Sequence, residues 1–383
     1  MNRPDRPTPP RRHWLGTTAG LGAALLLPGP APAAGLVRRP LRFPADLGAH
    51  PDTALEWWYV TGWLSIGVAP AAPSTPPRPT HGFQVTFFRS RTGLSEPHPS
   101  RFAAHQILLA HVALTDLGAG RLHHGQRVAR AHEGLAGSRT GDTAVQLRDW
   151  RLSRRDAGDD AQAASVYRIE LPREPGGFGL ELTLRTTQPL LLQGEAGWSR
   201  KGPRPQQASH YYSQPQLQVQ GRLQQDAREH PVHGRAWLDH EWSDSLLDAD
   251  AVGWDWTGIN LHDGSALTAF RLRRADGSTL WAGGSWRLPG GAVRPFGPGD
   301  VRLTPGRRWN HAASGAAYPV QWTLETPAGR FELQALLDAQ VLDTRASTGT
   351  EYWEGLSVLR SPDGRELGLG YLEMTGYAGR LQL

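Results

Sequence analysis

The sequence predicts an all-β protein made of two antiparallel barrels in tandem. Three observations lead there. Glycine (45) and proline (31) are abundant in 383 residues, which suits many turns and few helices. Apolar residues fall in short aromatic and β-branched runs of strand length. Asp-Gly pairs stand between such runs at Asp263-Gly264, Asp276-Gly277 and Asp363-Gly364, the strongest short hairpin signal. The 15 tryptophans supply the large aromatic area that barrel interiors accept.

In chain order, "LEWWYVTGWLSI" (Leu55–Ile66), "GFQVTFFRS" (Gly82–Ser90) and "HQILLAHVALTDL" (His105–Leu117) read as the first three strands. A Pro-rich surface loop separates the first two. Further strands are predicted over Ala144–Leu152, Ser165–Leu171 and Leu180–Thr186. The second half is a meander: "GWDWTGINL", "SALTAFRLRR", "STLWAGGSWRL" and "RELGLGYLEMTGY" are joined by turns. "FELQALLDAQVL" comes nearest to a helix, and a strand reading competes. Both halves carry Trp-rich strands with acid–aromatic pairs near their starts, Glu56-Trp57-Trp58 and Trp353-Glu354. No fixed repeat period exists, which excludes a propeller or solenoid. The polar stretch Gln224–Glu229 is the expected seam, giving domains 35–225 and 226–383, each of a size for one barrel.

Residues 1–34 read as an export leader. Arg11-Arg12 precede the apolar run Leu15–Leu27, and Ala31-Pro32-Ala33 is an A-x-A processing signal of twin-arginine type. The run is short for a membrane span, and no later stretch reaches about 18 apolar residues. A periplasmic mature chain cut near Ala33, without a transmembrane segment, is therefore expected.

Net charge is +5, of which residues 1–34 hold +3. The rest is too weakly basic to predict nucleic-acid binding. Cysteine is absent, which excludes disulfides, thiolate catalysis and Cys-based metal sites. No nucleotide-binding glycine motif is present, so no cofactor is expected. Among 41 basic residues a single one, Lys201, is lysine. Against an arginine background it can mark a place where a guanidinium does not serve.

The densest titratable stretch is "GRAWLDHEWSDS", Gly234–Ser245. As a strand, its period of two puts Ala236, Leu238, His240 and Trp242 on one face and Trp237, Asp239, Glu241 and Ser243 on the other. His240 beside Trp242 would give an apolar lumen with one titratable group, suited to proton chemistry on an apolar ligand. A core histidine is the alternative, with the acids on the opposite face or at the domain interface. His240-Glu241 lacks a second histidine at zincin spacing, and His233 lies seven residues away on the opposite face, so no metal site is expected. Asp255 shares a face with Thr257, Ile259 and Leu261, where a carboxyl would be a weak acid suited to proton donation. Fixing a barrel corner by hydrogen bonds is its alternative role. Trp254 and Trp256 flank it. In "ASHYYSQP", Ser209 and Tyr211 share one face, His210 and Tyr212 the other. These residues, with Lys201 and Trp58, are the candidate ligand contacts, and a packed lid is the competing reading.

Together, "DTALEWWYVTGWL", "GFQVTFFR", "PLLLQGEAGWSRKG", "ASHYYSQPQLQVQG", "GRAWLDHEWSDSLL", "GWDWTGINLHDG", "YPVQW", "YWEGL" and "GYLEMTGY" resemble the AttH / carotenoid 1,2-hydratase family over roughly residues 50–377. The resemblance implies two lipocalin-like β-barrels side by side. It implies either an exported binding protein for an elongated apolar, isoprenoid- or lipid-like ligand that serves an ABC transporter permease complex, or a cofactor-independent hydro-lyase that adds water to an alkene. His240 and Trp242 match the His-x-Trp element of the hydratase pattern. The Tyr-x-Asp pair expected on a later strand is replaced by Phe270-Arg271-Leu272. Asp255 or Asp239 would then supply the acid.

Overall fold

The computed structural model describes residues 36–69, 78–94, 98–100, 102–158, 165–245 and 247–380. The export-leader expectation and most of the Pro-rich loop lie outside them. The first sheet holds thirteen strands: β1 (Leu55–Ile66), β2 (His81–Arg91), β3 (Gln106–Asp116), β4 (Arg121–Arg130), β5 (Ala136–Ser138), β6 (Ala144–Leu147), β7 (Trp150–Asp156), β8 (Ser165–Leu171), β9 (Gly179–Arg185), β10 (Leu191–Leu192), β11 (Trp198–Arg200), β12 (Ala208–Gln225) and β13 (Arg228–Ser243). Their order, β4-β3-β2-β1-β13-β12-β9-β8-β7-β6-β5, wraps a nearly closed barrel. The second sheet comprises β14 (Gly253–Leu261), β15 (Ala266–Arg273), β16 (Thr279–Arg287), β17 (Val293–Phe296), β18 (Arg302–Pro305), β21 (Gln321–Thr326), β22 (Gly329–Ala335), β23 (Val341–Asp343), β24 (Glu351–Arg360) and β25 (Glu366–Met374). Two short strands, β19 (Arg308–Asn310) and β20 (Ala317–Pro319), pair apart. The fold is all-β, with two lipocalin-like barrels in tandem.

The expected strands form, with two local differences. Ala144–Leu152 is broken into β6 and β7 by a turn in which Arg148 takes a left-handed φ of 60°. The first part of "FELQALLDAQVL" is extended as β22, because Phe331, Leu333 and Ala335 alternate into the second core, and its last two residues open β23. The stretch Gln224–Glu229 is not a seam but the tip of the β12–β13 hairpin, with Asp226 and Ala227 both at positive φ (50° and 61°), as a type I′ turn requires. The chain changes sheet later, between Ser243 and Gly253.

Alternation along the strands sorts side chains into three layers. Trp58, Val60, Val85, Phe87, Leu238 and Trp242 fill the first barrel, together with partly buried Leu36, Leu41 and Phe43 from the segment that precedes β1. Ile259, Trp322, Trp353 and Met374 belong to the second barrel's core. Tyr59, Trp63, Trp237, Trp256, Phe270, Leu356 and Tyr371 form a third core, where the outer faces of the two barrels meet. Polar clasps tie this junction. A bulge in β12 between Gln214 and Leu217 presents the left-handed Gln216, whose backbone N–H donates to Asn260 Oδ1 at 2.7 Å and whose side-chain amide donates to the carbonyls of Leu261 and Ser265. Asn260 Nδ2 in turn donates to the Ala236 carbonyl at 3.0 Å. Bulges re-aim side chains in this way. Residues 35–383 thus form one compact unit.

Candidate functional site

The junction does not close completely. Between the barrels lies a narrow cleft with a cavity volume of about 100 Å³. The first barrel contributes Trp57 and Tyr59 of β1, Thr86 and Phe88 of β2, Ser209 and Tyr211 of β12, Asp239, Glu241 and Ser243 of β13, and Lys201. The second contributes Trp254 and Trp256 of β14, Phe270 and Leu272 of β15, Tyr352 and Glu354 of β24, and Glu373 of β25. Ser245 and Leu247 of the connecting segment complete the wall. Period two aims every one of these strand residues at the junction.

Four carboxyls therefore face an aromatic cleft. Asp239 is 4 % exposed and accepts hydrogen bonds from Tyr211 Oη (2.7 Å), Ser213 Oγ and Trp237 Nε1 (2.6 Å). Burial outweighs these donors, and with the nearby Glu241 charge it pushes the Asp239 carboxyl up to about 7. Tyr211 Oη also accepts from Trp256 Nε1 at 3.2 Å, so an indole, a phenol and a carboxyl form a fixed chain. Glu241 is held by Lys201 Nζ at 2.9 Å and by the Ser209 hydroxyl. The Lys201 ammonium lies over the rings of Tyr211 and Phe270, 4.7 and 4.5 Å from their centroids.

Glu354 and Glu373 stand directly opposite each other on β24 and β25. Glu373 is raised to about 8, chiefly by burial and then by the charges of Asp239 and Glu241, against a hydrogen bond from Trp254. Burial, reinforced by Glu373, raises Glu354 well above the usual carboxylate range. Neither Glu354 oxygen has a partner of hydrogen-bond geometry among the described residues, although the phenols of Tyr59 and Tyr352 stand close enough to favour its ionised form slightly. Tyr352 Oη instead meets His111 Nδ1 at 2.9 Å. Burial first, and the neighbouring acid charges after it, favour the protonated form of both carboxyls.

The sequence candidates divide among three places. Lys201, Tyr211, Asp239, Trp254 and Trp256 line the cleft. His240, Trp242, His210, Tyr212 and Trp58 point the other way, into the first barrel. There His240 Nε2 lies 2.8 Å from Glu56 Oε1 and Nδ1 lies 3.0 Å from Tyr212 Oη, with Trp58 stacked on its ring at 4.8 Å. Trp242 stacks on His50 at 3.6 Å, and His210 Nε2 meets the Val37 carbonyl at 3.1 Å. The expected open lumen beside His240 is filled, because the segment before β1 occupies it. Asp255 faces the second barrel, not an apolar surrounding: Arg271 Nε donates to it at 2.7 Å, Tyr377 Oη at 2.9 Å, and Arg273 Nε lies 3.1 Å away. It anchors a barrel, which is the alternative its sequence setting left open.

One group of described residues brings metal-type donors together: His50, Glu56 and His240, with ligand atoms within 4.8 Å of one another. Two imidazoles and a carboxylate are a zinc-type donor set. Hydrogen bonds already account for the same atoms. His50 Nδ1 lies 2.8 Å from Glu56 Oε1 and Nε2 lies 3.1 Å from Asp46 Oδ1, while Arg89 Nε donates to Glu56 Oε2 at 2.9 Å. Burial would raise Glu56, but the imidazoles of His240 and His50 override it and hold Glu56 far below its ordinary range.

Glu354 and Glu373 were not singled out from the sequence. Their signal was an acid in a strand whose other members are nearly all apolar, "YWEGLSVL" and "GLGYLEM". On the Phe270-Arg271-Leu272 strand, Phe270 and Leu272 supply apolar wall, and the second sheet's acids reach the cleft from β24 and β25, three and two strand positions away.

With this geometry in view, the comparisons with known proteins are consistent. A crystal structure of an AttH protein from Nitrosomonas europaea shares 44% identity with the chain, at a TM-score of 0.78, covering 90% of this chain and 99% of that one. Kievitone hydratase from Nectria haematococca has a similar fold (13% identity, TM-score 0.62, 88% and 92% covered). So does CghA crystallised with Sch210972 (15% identity, TM-score 0.52, 86% and 90% covered). No curated protein matches the chain by sequence. The AttH-like family profile matches residues 35–377, and the chain belongs to the AttH-like family.

Proposed function

We propose that this protein holds an elongated, largely apolar and unsaturated molecule in the cleft between its barrels and adds water to it, as a cofactor-independent hydro-lyase. The observation that carries this reading is the set of carboxyls, buried Asp239 and Glu354 and partly buried Glu373, in a tryptophan-lined cleft, where burial favours their protonated forms. Alkene hydration needs an acid that gives its proton to one carbon, using the π electrons for the new C–H bond. The cation left on the neighbouring carbon gains from indole faces, here Trp57, Trp254 and Trp256. Water then adds through oxygen and returns a proton to the carboxylate, so the acid is regenerated. Glu373 is the better donor, since Asp239 is already engaged by three hydrogen-bond donors. Kievitone hydratase, of similar fold, is a hydratase by name, and CghA was crystallised with Sch210972.

A second reading shares the cleft but omits turnover: an exported carrier handing its apolar ligand to an ABC transporter. The leader-like pattern of residues 1–34 favours it. One experiment separates the two. Long-chain alkenes and acyclic polyenes are incubated with the protein in heavy-oxygen water and analysed by mass spectrometry. Label in the product, lost in Glu373→Gln, supports hydration. Ligand retained without label supports the carrier. Neither label nor retention defeats both.

A further inference from the structure

We propose that the cleft's ligand is an amphiphile rather than a hydrocarbon, with an anionic end docked on Lys201 and an uncharged oxygen group hydrogen-bonded by Glu354 at the other end. This rests on the reading of the cleft as a ligand site and adds the ligand's polarity to it. The first observation is the placement of Lys201. The chain's one lysine projects into this cleft, clamped between two aromatic faces and Glu241. A compact ammonium fits between two ring faces and retains N–H groups for a ligand after donating to Glu241, whereas a planar guanidinium would span the gap. Among the cleft-lining residues it is the only Lys or Arg.

The second observation is independent. Glu354 is 2 % exposed and aimed into the cleft, and neither of its oxygens has a partner of full hydrogen-bond geometry among the described residues, with the phenols of Tyr59 and Tyr352 nearby. The Tyr59 hydroxyl, beside Glu354 and close enough to interact with it, likewise has no partner of full hydrogen-bond geometry among the described residues. Buried polar groups in native proteins nearly always have partners. A ligand oxygen that accepts the Glu354 carboxyl proton, with Tyr59 at hand, completes this corner.

The two corners lie at opposite ends of the cleft. Lys201 touches β12 and β15, while Glu354 stands on β24 beside β1. In the second sheet three strand spacings separate β15 from β24, roughly 14 Å. Trp254 and Trp256 line the middle. A hydrocarbon would cover both polar corners and take away their water without replacing it, an unfavourable exchange.

Tryptophan-fluorescence titration near neutral pH tests this with four probes of one chain length: ω-hydroxypalmitate, palmitate, hexadecanol and hexadecane. Palmitate should bind about tenfold or more tighter than hexadecane, a factor that corresponds to about 1.4 kcal/mol, and ω-hydroxypalmitate tighter still. The charge-neutral double variant Lys201→Met/Glu241→Gln, chosen to avoid stranding Glu241, should remove the advantage of the carboxylate and leave that of the hydroxyl. Glu354→Leu should do the reverse. Hexadecane binding as tightly as palmitate would overturn the amphiphile while leaving the cleft a ligand site. Binding of none of the four would remove the cleft reading itself.

Discussion

Glu354 and Glu373 occupy opposed positions on neighbouring antiparallel strands, and both carboxyls face the same cleft. Like charges placed opposite each other across a strand pair are destabilising, so the arrangement holds only while at least one proton is shared out between them.

Both acids are raised in the folded protein. The unfolded chain releases these protons near pH 4.3, so the folded state loses stability as pH rises from there, the Glu373 part of the loss being complete above about 8. Glu354→Gln and Glu373→Gln should each stabilise the protein at pH 8.5, by about 1–3 kcal/mol, and by much less at pH 4. Urea unfolding at the two pH values measures the difference. A residue kept at the expense of stability is the mark of a functional site.

Catalysis by a protonated Glu373 gives the opposite limb. Hydration should be full at low pH and fall as pH rises through about 8. Glu373→Gln should lower the rate by about 100-fold or more, the usual contribution of a general acid. Rate–pH profiles of wild type and variant check this.

Glu56 in the first barrel behaves in the reverse sense. Against burial, the imidazoles of His240 and His50 hold its carboxylate ionised, and Arg89 pairs with it, so the stability it provides is present above its unfolded pKa and lost as pH falls through its depressed folded value. Glu56→Gln should destabilise the protein by about 3–5 kcal/mol at neutral pH, as breaking a buried ion pair does. Thermal and denaturant unfolding read this directly.

Gly82 lies where the barrels touch. A Cβ there would meet Tyr371 Oη at 2.6 Å and Leu356 Cβ at 3.0 Å. Gly82→Val should act as a wedge between the barrels, costing about 1–3 kcal/mol and weakening ligand binding in the cleft without disturbing either barrel's core. Calorimetry alongside a binding titration separates the two effects.

Period two made most of this legible. It split "GRAWLDHEWSDS" into its two faces correctly, and it paired Ser209 with Tyr211 and His210 with Tyr212. What it could not say is which face meets a cavity. The hydrophobic pattern of β13 is the same whether its His240 face looks into an open lumen or a packed interior, because a stacked His50–Trp242 pair and an apolar ligand demand similar side chains. Nor could local pattern join β24 and β25 to β13: Glu354, Glu373 and Asp239 converge through strand order and barrel contact, which are long-range. The Gln224–Glu229 stretch misled because polarity marks hairpin tips and domain linkers alike.

The segment from Leu36 to Phe43 has a wider consequence. By lying against the first barrel's core, with its Val37 carbonyl at His210 and the Phe43 ring against Tyr212, it makes a drinking cup into a corked bottle. If the cleft is the ligand site proposed above, recognition is a property of how two solid bodies are set against each other. Adjusting a clasp such as Gln216–Asn260 would tilt one body on the other and retune the gap from a distance, so changes in ligand preference need not fall on any residue that touches the ligand.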